Sequence, residues 1–277
     1  MKKLAVLLVF IACSPGTPTA PVVAPPAEPG LKFTYPVPKY DSLWKEGPIG
    51  MRFHPIGDSL PWTKTTVRDV FRAGYSSERF EIRPGYCKPS DCLIGNERSQ
   101  RTEAVDNFVD GEEWWYGWSH YVPEPLFDPY TWFGEFMESP VPGVNNWNPF
   151  WMFMKRPAEE FCLVYLAFLK GGFSCDNRNS KNYRLISDQE FVGHWTDIVV
   201  HAKWTLNNNG FTHVWINGVL MVEYAGATRT PNTANVYFSY GAYRKATSMS
   251  VPLVIFYDEV RKGKTREEVD IRILEKR

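Results

Sequence analysis

Short runs of alternating apolar and polar residues, separated by turn residues, constrain the fold of this chain most strongly. Asn217-Gly218 lies between two apolar runs, and this dipeptide favours the tight turn of an antiparallel hairpin. Runs of this kind recur along most of the chain, a pattern typical of a sandwich or jelly roll. The predicted strands are Phe80–Arg83, Glu97–Val105, Glu113–Tyr121, Phe150–Met154, Cys162–Lys170, Trp195–Trp204, Thr212–Ile216, Val219–Tyr224, Asn235–Tyr243 and Leu253–Val260.

The sequence therefore predicts an all-β fold, a jelly-roll β-sandwich in which one curved sheet forms a concave groove. Helical periodicity is scarce, and we expect only short helical turns. These are predicted at Thr66–Phe71, Pro129–Glu138 and Thr265–Val269.

The N-terminus predicts export. Lys2 and Lys3 precede the apolar run Leu4–Ala12, which is too short to span a bilayer and typical of a signal peptide. The run ends at Cys13 in a segment that resembles a bacterial lipobox. We expect an exported lipoprotein of the outer membrane, periplasmic or at the cell surface, anchored only through this lipid; ordinary secretion is the alternative. Residues 14–30 are a Pro-rich tether, and 31–277 form one domain.

The four remaining cysteines favour disulfides. Cys87 and Cys92 enclose a four-residue loop, and Cys162 and Cys175 are spaced for a bridge across a hairpin. Zinc is the competing interpretation, but neither pair has C-x-x-C spacing and no histidine lies close by. An oxidising compartment favours the disulfides.

Charge and aromatic content limit the class of ligand. The formal net charge is zero, so long-range attraction to nucleic acid is not indicated. Aromatic residues make up 16% of the chain, with 11 Trp. Large aromatic rings fill sandwich cores and also stack on sugar rings, and composition does not separate these two uses.

Five segments, in the right order, carry a resemblance to a known family. They span about residues 79–263, and their similarity is to the heparin-lyase and glucuronan-lyase group of concanavalin-like jelly-roll polysaccharide lyases. The segments are Arg79–Cys87 continuing to Gln100, Glu113–Ser119 continuing to Glu124, Gly193–His201 followed by Val214–Gly218, Val236–Arg244, and Phe256–Gly263.

The resemblance implies β-elimination on an acidic, uronate-containing polysaccharide. Such a reaction needs a group that neutralises the uronate carboxylate, a base that removes the C5 proton, and an acid that protonates the departing oxygen. The resemblance places the acid, and in a syn geometry also the base, on Tyr243. It places the carboxylate partner on Arg98, because a guanidinium matches a planar carboxylate. A core tyrosine and a structural salt bridge are the alternatives for these two residues.

Period-two placement extends the predicted site. Gln100 shares a strand face with Arg98, and Tyr237 shares one with Tyr243, so both are predicted to bind substrate. Lys203 and Arg244 are further candidates for substrate binding. His201, at a position where the family often has histidine, and His120 are candidates for the catalytic base, against structural roles in the sheet.

The chain also departs from the family pattern. Met152 and Met154 occupy the positions of the usual Gln-x-His, and Ser239 replaces the lysine four residues before Tyr243. A non-catalytic carbohydrate-binding surface protein on the same fold is therefore the second hypothesis, and a glycan hydrolase the third. No cofactor is predicted to be required; a structural calcium ion has no supporting ligand motif. The sequence does not predict an oligomeric state.

Overall fold

The computed structural model describes ten segments of the chain. They are residues 51–53, 60–103, 109–126, 128, 130–140, 148–155, 161–165, 181–229, 233–247 and 250–276. The predicted signal peptide, lipobox and tether, and the predicted strand ends beyond residues 103 and 165, lie outside them. Within the described segments, no helix has the length and apolarity needed to cross a membrane.

Strands dominate the described segments. The strands are β1 (Met51–Phe53), β2 (Lys64–Val67), β3 (Ser77–Ile82), β4 (Asn96–Glu103), β5 (Glu113–Tyr121), β6 (Tyr130–Pro140), β7 (Asn148–Lys155), β8 (Phe161–Tyr165), β9 (Lys181–Ile186), β10 (Trp195–Lys203), β11 (Phe211–Ile216), β12 (Val219–Ala225), β13 (Thr233–Lys245) and β14 (Leu253–Gly263). The helical turns are α1 (Pro89–Cys92), α2 (Asp188–Phe191), the 3₁₀ turn Arg266–Glu268, and α3 (Ile271–Leu274).

The strands form two antiparallel sheets. The front sheet has the order β1-β4-β13-β6-β7-β8-β9, and the back sheet has the order β12-β11-β10-β5-β14-β3-β2. Sequence-distant strands are neighbours in both sheets, as in a jelly roll, so the predicted fold class is confirmed. The predicted hairpin is also present, with Ile216 opposite Val219 and positive φ angles at Asn217 (50°) and Gly218 (85°).

The core lies between the sheets and is strongly aromatic. Trp118 of the back sheet contacts two rings of the front sheet, Phe153 with centroids 5.0 Å apart and Phe238 with centroids 4.7 Å apart. All three side chains are buried. Ring pairs of this kind stabilise a core beyond the area they bury. The sequence did not separate core packing from sugar stacking. In the structure, many of the aromatic side chains pack in the core.

Two predicted helical turns are wrong and one is confirmed. Thr66–Phe71 is not helical, because strand β2 continues to Val67 and a bend follows it. Pro129–Glu138 is not helical, because Tyr130–Pro140 is the long strand β6. Phe133 and Phe136 are three residues apart and both enter the core, a spacing that suggests a helix. A β-bulge between Trp132 and Gly134 shifts the alternation and brings both rings to one face of a strand. The predicted turn near the C-terminus is present as the 3₁₀ turn Arg266–Glu268.

The predicted Cys87–Cys92 disulfide is formed, and it closes α1. Cys162 is also disulfide-bonded. Its predicted partner, Cys175, lies outside the described residues.

Candidate active site

Arg98 and Tyr243 meet on the face of the front sheet opposite the core. We call this the site face; it carries Asn96, Arg98, Gln100, Trp132, Glu135, Met152, Met154 and Tyr243. Tyr243 on β13 is directly opposite Arg98 on β4. The guanidinium carbon of Arg98 lies 4.3 Å from the centre of the Tyr243 ring, and Nη2 lies 3.4 Å from the phenol oxygen. The structure thus places the two main candidate residues in contact.

Asp91 fixes the position of the Arg98 guanidinium. Arg98 Nε donates to Asp91 Oδ2 at 2.7 Å, and Nη2 donates to the other carboxylate oxygen. Asp91 is buried on α1, the turn that the Cys87–Cys92 disulfide closes. These bonds use Nε and Nη2 and leave Nη1 to contact an arriving carboxylate. The disulfide therefore supports the site as well as the fold.

The phenol of Tyr243 is half-buried and held by neighbours on both sides. The amide of Asn96 donates to the phenol oxygen, and the ring of Trp132 lies 4.6 Å from the Tyr243 ring. Burial raises the pKa of Tyr243, while the positive charge of Arg98 opposes that shift. Tyr243 therefore carries its proton at neutral pH, and its phenolate form becomes more populated as the pH rises.

The methionine pair lies beside Tyr243. Met154 is opposite Trp132, and Met152 is opposite Glu135. Both methionine side chains are buried and pack with Trp132 and Cys162 in a cluster separate from the main core. The positions that would carry the family's Gln-x-His thus form an apolar wall. Neither methionine can accept a proton or bind a carboxylate.

The structure adds Glu135, a carboxyl group that the sequence interpretation did not include. Glu135 is 3% exposed and accepts a hydrogen bond of 3.1 Å from Gln100 Nε2. Burial raises the pKa of Glu135, and Arg98 opposes that shift. Strand alternation could have placed Glu135 on the site face, but the spacing of the apolar residues around it predicts a helical turn instead.

Two predicted substrate-binding residues also lie on the front sheet. Gln100 is fully buried on the site face. Tyr237 is half-buried six residues before Tyr243 on β13, which corresponds to about 20 Å along an extended strand. Tyr237 is therefore several sugar units away from the Tyr243 phenol. Ser239, at the position of the family lysine, lies within hydrogen-bond distance of Thr102, with 3.1 Å between the two hydroxyl oxygens.

The prediction that Arg244 binds substrate is wrong. Arg244 points into the core on the face opposite Tyr243 and has no exposed surface. Its guanidinium forms ion pairs of 2.6 Å with Glu97 and 2.9 Å with Asp128. The residue is a structural anchor behind the site.

His120 does not lie on the site face either, which contradicts its proposed role as the base. β5 belongs to the back sheet, and the His120 ring is fully buried among Phe133, Phe161 and Phe191. Burial lowers the pKa of His120 to about 3. The imidazole is therefore a neutral core group.

His120 predicts a pH dependence of stability. A histidine in the unfolded chain has a pKa of about 6.5. The protein therefore keeps its full free energy of unfolding above that pH, and the His120 contribution is lost as the pH drops toward the folded-state pKa of about 3. The expected loss is about 1.4 kcal/mol per pH unit in this window. Urea unfolding at a series of pH values measures it for the wild type and for His120→Phe. In His120→Phe the free energy of unfolding should no longer show this decrease between about pH 6.5 and about pH 3, and turnover should be unchanged. Loss of turnover would support a role for His120 as the base.

His201 and Lys203 lie on the outer face of the back sheet, away from Tyr243. The His201 ring stacks on Trp115, with centroids 4.0 Å apart and planes 7° apart. Lys203 Nζ is 4.0 Å from a carboxylate oxygen of Glu113. Their strand, β10, belongs to the back sheet, so the predictions that His201 is the catalytic base and that Lys203 binds substrate beside Tyr243 are wrong.

Among the described residues, no group of three or more His, Cys, Asp or Glu side chains is arranged to hold a metal ion. The polar groups of the site face include a phenol, a guanidinium, two amides and a buried carboxyl group. A phenol that holds a proton beside a guanidinium that binds carboxylates defines a site for acid–base chemistry on an anionic ligand.

The comparisons with known proteins agree with this class. The chain belongs to the polysaccharide lyase family, whose sequence model matches residues 39–261. None of the curated proteins matches the chain in sequence.

Solved structures show the same fold. The endo-β-1,4-glucuronan lyase from the fungus Trichoderma reesei is 22% identical, with a TM-score of 0.61 over 79% of this chain and 92% of that chain. The family 7 alginate lyase A1-II′, as its Y284F variant with bound product, is 12% identical, with a TM-score of 0.53 over 74% of this chain and 85% of that chain. The neighbours are jelly-roll polysaccharide lyases.

Proposed function

We propose that this polysaccharide lyase cleaves a uronate-containing polysaccharide by β-elimination at Tyr243 and Arg98. The contact between the Tyr243 phenol and the Arg98 guanidinium carries the proposal. Support also comes from the polymers that give two structural neighbours their names, glucuronan and alginate. Both are uronate polymers, so an acidic polysaccharide is the expected partner.

Arg98 is assigned to the uronate carboxylate. Removal of the C5 proton leaves a carbanion whose charge spreads into that carboxylate, and a fixed cation stabilises it. Asp91 holds the guanidinium in place before the substrate arrives, so little reorganisation is needed. The bonds to Asp91 leave Nη1 for the substrate.

Tyr243 is assigned both proton transfers. His120 and His201 lie elsewhere, and Met152 and Met154 cannot accept a proton. In a syn elimination one tyrosine removes the C5 proton as a phenolate and returns it to the departing glycosidic oxygen. Arg98 and the Asn96 amide stabilise the phenolate. Since burial raises the pKa of Tyr243, the rate should increase as the pH rises through neutrality.

Ultraviolet absorbance tests the function and identifies the substrate. Elimination leaves a C4–C5 double bond conjugated with the carboxylate, so cleavage produces a rising signal. The purified protein is incubated with glucuronan, alginate, heparin, heparan, chondroitin and pectate. We expect a rising trace on at least one polymer, with glucuronan and alginate first. A flat trace on all six, from folded protein, would contradict lyase activity.

A binding protein without turnover is the second candidate. The apolar wall of Met152 and Met154 favours it, because this wall replaces the side chains that usually assist the reaction. Such a protein would bind an acidic polymer with an affinity that falls as salt rises, and would leave the polymer intact.

We also propose that Cys13 anchors the exported chain to a membrane. The support is the basic and apolar N-terminal pattern, together with the Cys87–Cys92 disulfide, which suits an oxidising compartment.

Replacing the anchor residue tests its role. Cys13→Ala should move the protein from the membrane fraction to the soluble fraction of the exported material, with unchanged activity per molecule. Fractionation followed by immunoblotting measures this, and Ser14→Ala is the matched control. If Cys13→Ala stayed in the membrane fraction like the control, the anchor would lie elsewhere.

A further inference from the structure

Gln100 and Glu135 form a buried pair beside the reacting groups. Gln100 lies on β4 and Glu135 on β6, with β13 between them. The residue of β13 opposite Gln100 is Gly241, which has no side chain to separate the two. The Gln100 amide nitrogen donates to Glu135 Oε1 at 3.1 Å. Gln100 has no exposed surface and Glu135 has 3%.

The other end of the Gln100 amide lacks a donor. Gln100 Oε1 is buried and accepts no hydrogen bond from any residue that the structure describes. A buried acceptor left without a partner costs about 1–3 kcal/mol. An ionised Glu135 has no proton to offer, whereas a protonated Glu135 has an O–H next to the same amide. Protonation of Glu135 would therefore complete the pair.

The charged groups that act on Glu135 lie on two neighbouring elements. Burial favours the protonated form of Glu135, Arg98 on β4 and the hydrogen bond from the Gln100 amide favour the ionised form, and the negative charge of Asp91 on α1 favours the protonated form. Glu135 in turn raises the pKa of Tyr243 on β13 and of Tyr257 on β14. Burial dominates this balance and raises the pKa of Glu135, which agrees with the missing donor at Gln100.

We propose that Glu135 is a positioning residue held as a neutral carboxylic acid, with its O–H donated to Gln100 Oε1 while the Gln100 amide donates back. In this state Glu135 does not compete with the substrate for the positive charge of Arg98. This role of Glu135 rests on the proposed function, in which the positive charge of Arg98 binds the uronate carboxylate. It explains how a carboxyl group can lie within a site that binds an anion.

Ionisation of Glu135 would then weaken the site. As the pH rises through the pKa of Glu135, a negative charge appears near Arg98 and Tyr243. The uronate carboxylate is bound less tightly, and the pKa of Tyr243 is raised by the added negative charge. The proposal therefore predicts a KM that increases with pH.

Infrared spectroscopy tests the protonation state without any need for turnover. The carbonyl band of a neutral carboxylic acid should be present at neutral pH in the wild type and absent in Glu135→Gln, which has the same shape and no proton to lose. Asp258, a buried carboxyl group with a raised pKa, contributes to both spectra and cancels in the difference. Gln100→Met should move the band, because it removes both partner atoms. No difference between wild type and Glu135→Gln at neutral pH would overturn the proposal.

Kinetics tests the consequence for the substrate. Between neutral and alkaline pH, KM should rise roughly tenfold in the wild type, equal to about 1.4 kcal/mol, and stay level in Glu135→Gln. Glu223→Gln removes an exposed carboxylate from the back sheet and is the matched control, with a KM profile like that of the wild type. Identical KM profiles for Glu135→Gln and the wild type would overturn the charge effect. If no polymer is cleaved, the proposed function fails while the infrared result still decides the state of Glu135.

Discussion

Tyr243→Phe is expected to lower turnover on the order of 10³-fold and to leave the fold intact. The substitution removes one oxygen atom and keeps the ring that packs against Trp132 and lies beneath Arg98. Both proton transfers are assigned to this oxygen, so no other group of the site face replaces it. Because Arg98 still binds the uronate carboxylate, KM should change little.

Initial rates from ultraviolet absorbance, together with thermal unfolding, measure both parts of this prediction. Tyr75→Phe is the matched control, since Tyr75 is 65% exposed. The control should retain full activity. Full activity in Tyr243→Phe would remove the phenol from the mechanism, and a large loss of thermal stability would mean that its role is structural.

Arg244→Met should produce the largest loss of stability, about 3–5 kcal/mol. Arg244 has no exposed surface and pairs with two buried carboxylates, Glu97 and Asp128. Methionine fills a similar volume but leaves both carboxylates buried without their cation. Removing one partner of a buried ion pair is strongly destabilising for this reason.

Urea unfolding measures the effect. Arg272→Met is the control: its side chain is 47% exposed and lies 3.5 Å from Asp197, so the loss there should be at most about 1 kcal/mol. If Arg244→Met kept the stability of the wild type and lost affinity for the polymer, Arg244 would be a binding residue after all.

The fold could be predicted because its signals are local. Alternation and turn residues identify strands one at a time, and Asn217-Gly218 identifies a hairpin within four residues. β6 could not be predicted in this way. A bulge at Phe133 changes the period of the pattern, and the strand around Glu135 then has the spacing of a helix.

The candidate site was only partly predictable. Alternation places Arg98 and Tyr243 on defined faces of their strands, and the family resemblance assigns both residues to the reaction. Alternation does not say which of the two sheets a strand joins, nor which face is the core. His120 and His201 were therefore assigned to the site although they belong to the back sheet, and Arg244 was assigned to it although it points inward.

Incubation with polymer in water enriched in oxygen-18 tests the central claim most directly, because β-elimination uses no water. Mass spectrometry of the products of the most susceptible polymer, sampled before the C1 oxygen of the new reducing end exchanges with water, should show unsaturated ends and no oxygen-18. Products that carry oxygen-18 and have no double bond would identify a hydrolase, and intact polymer would show that the protein does not cleave it. Either result would contradict the assignment of the elimination to Tyr243 and Arg98.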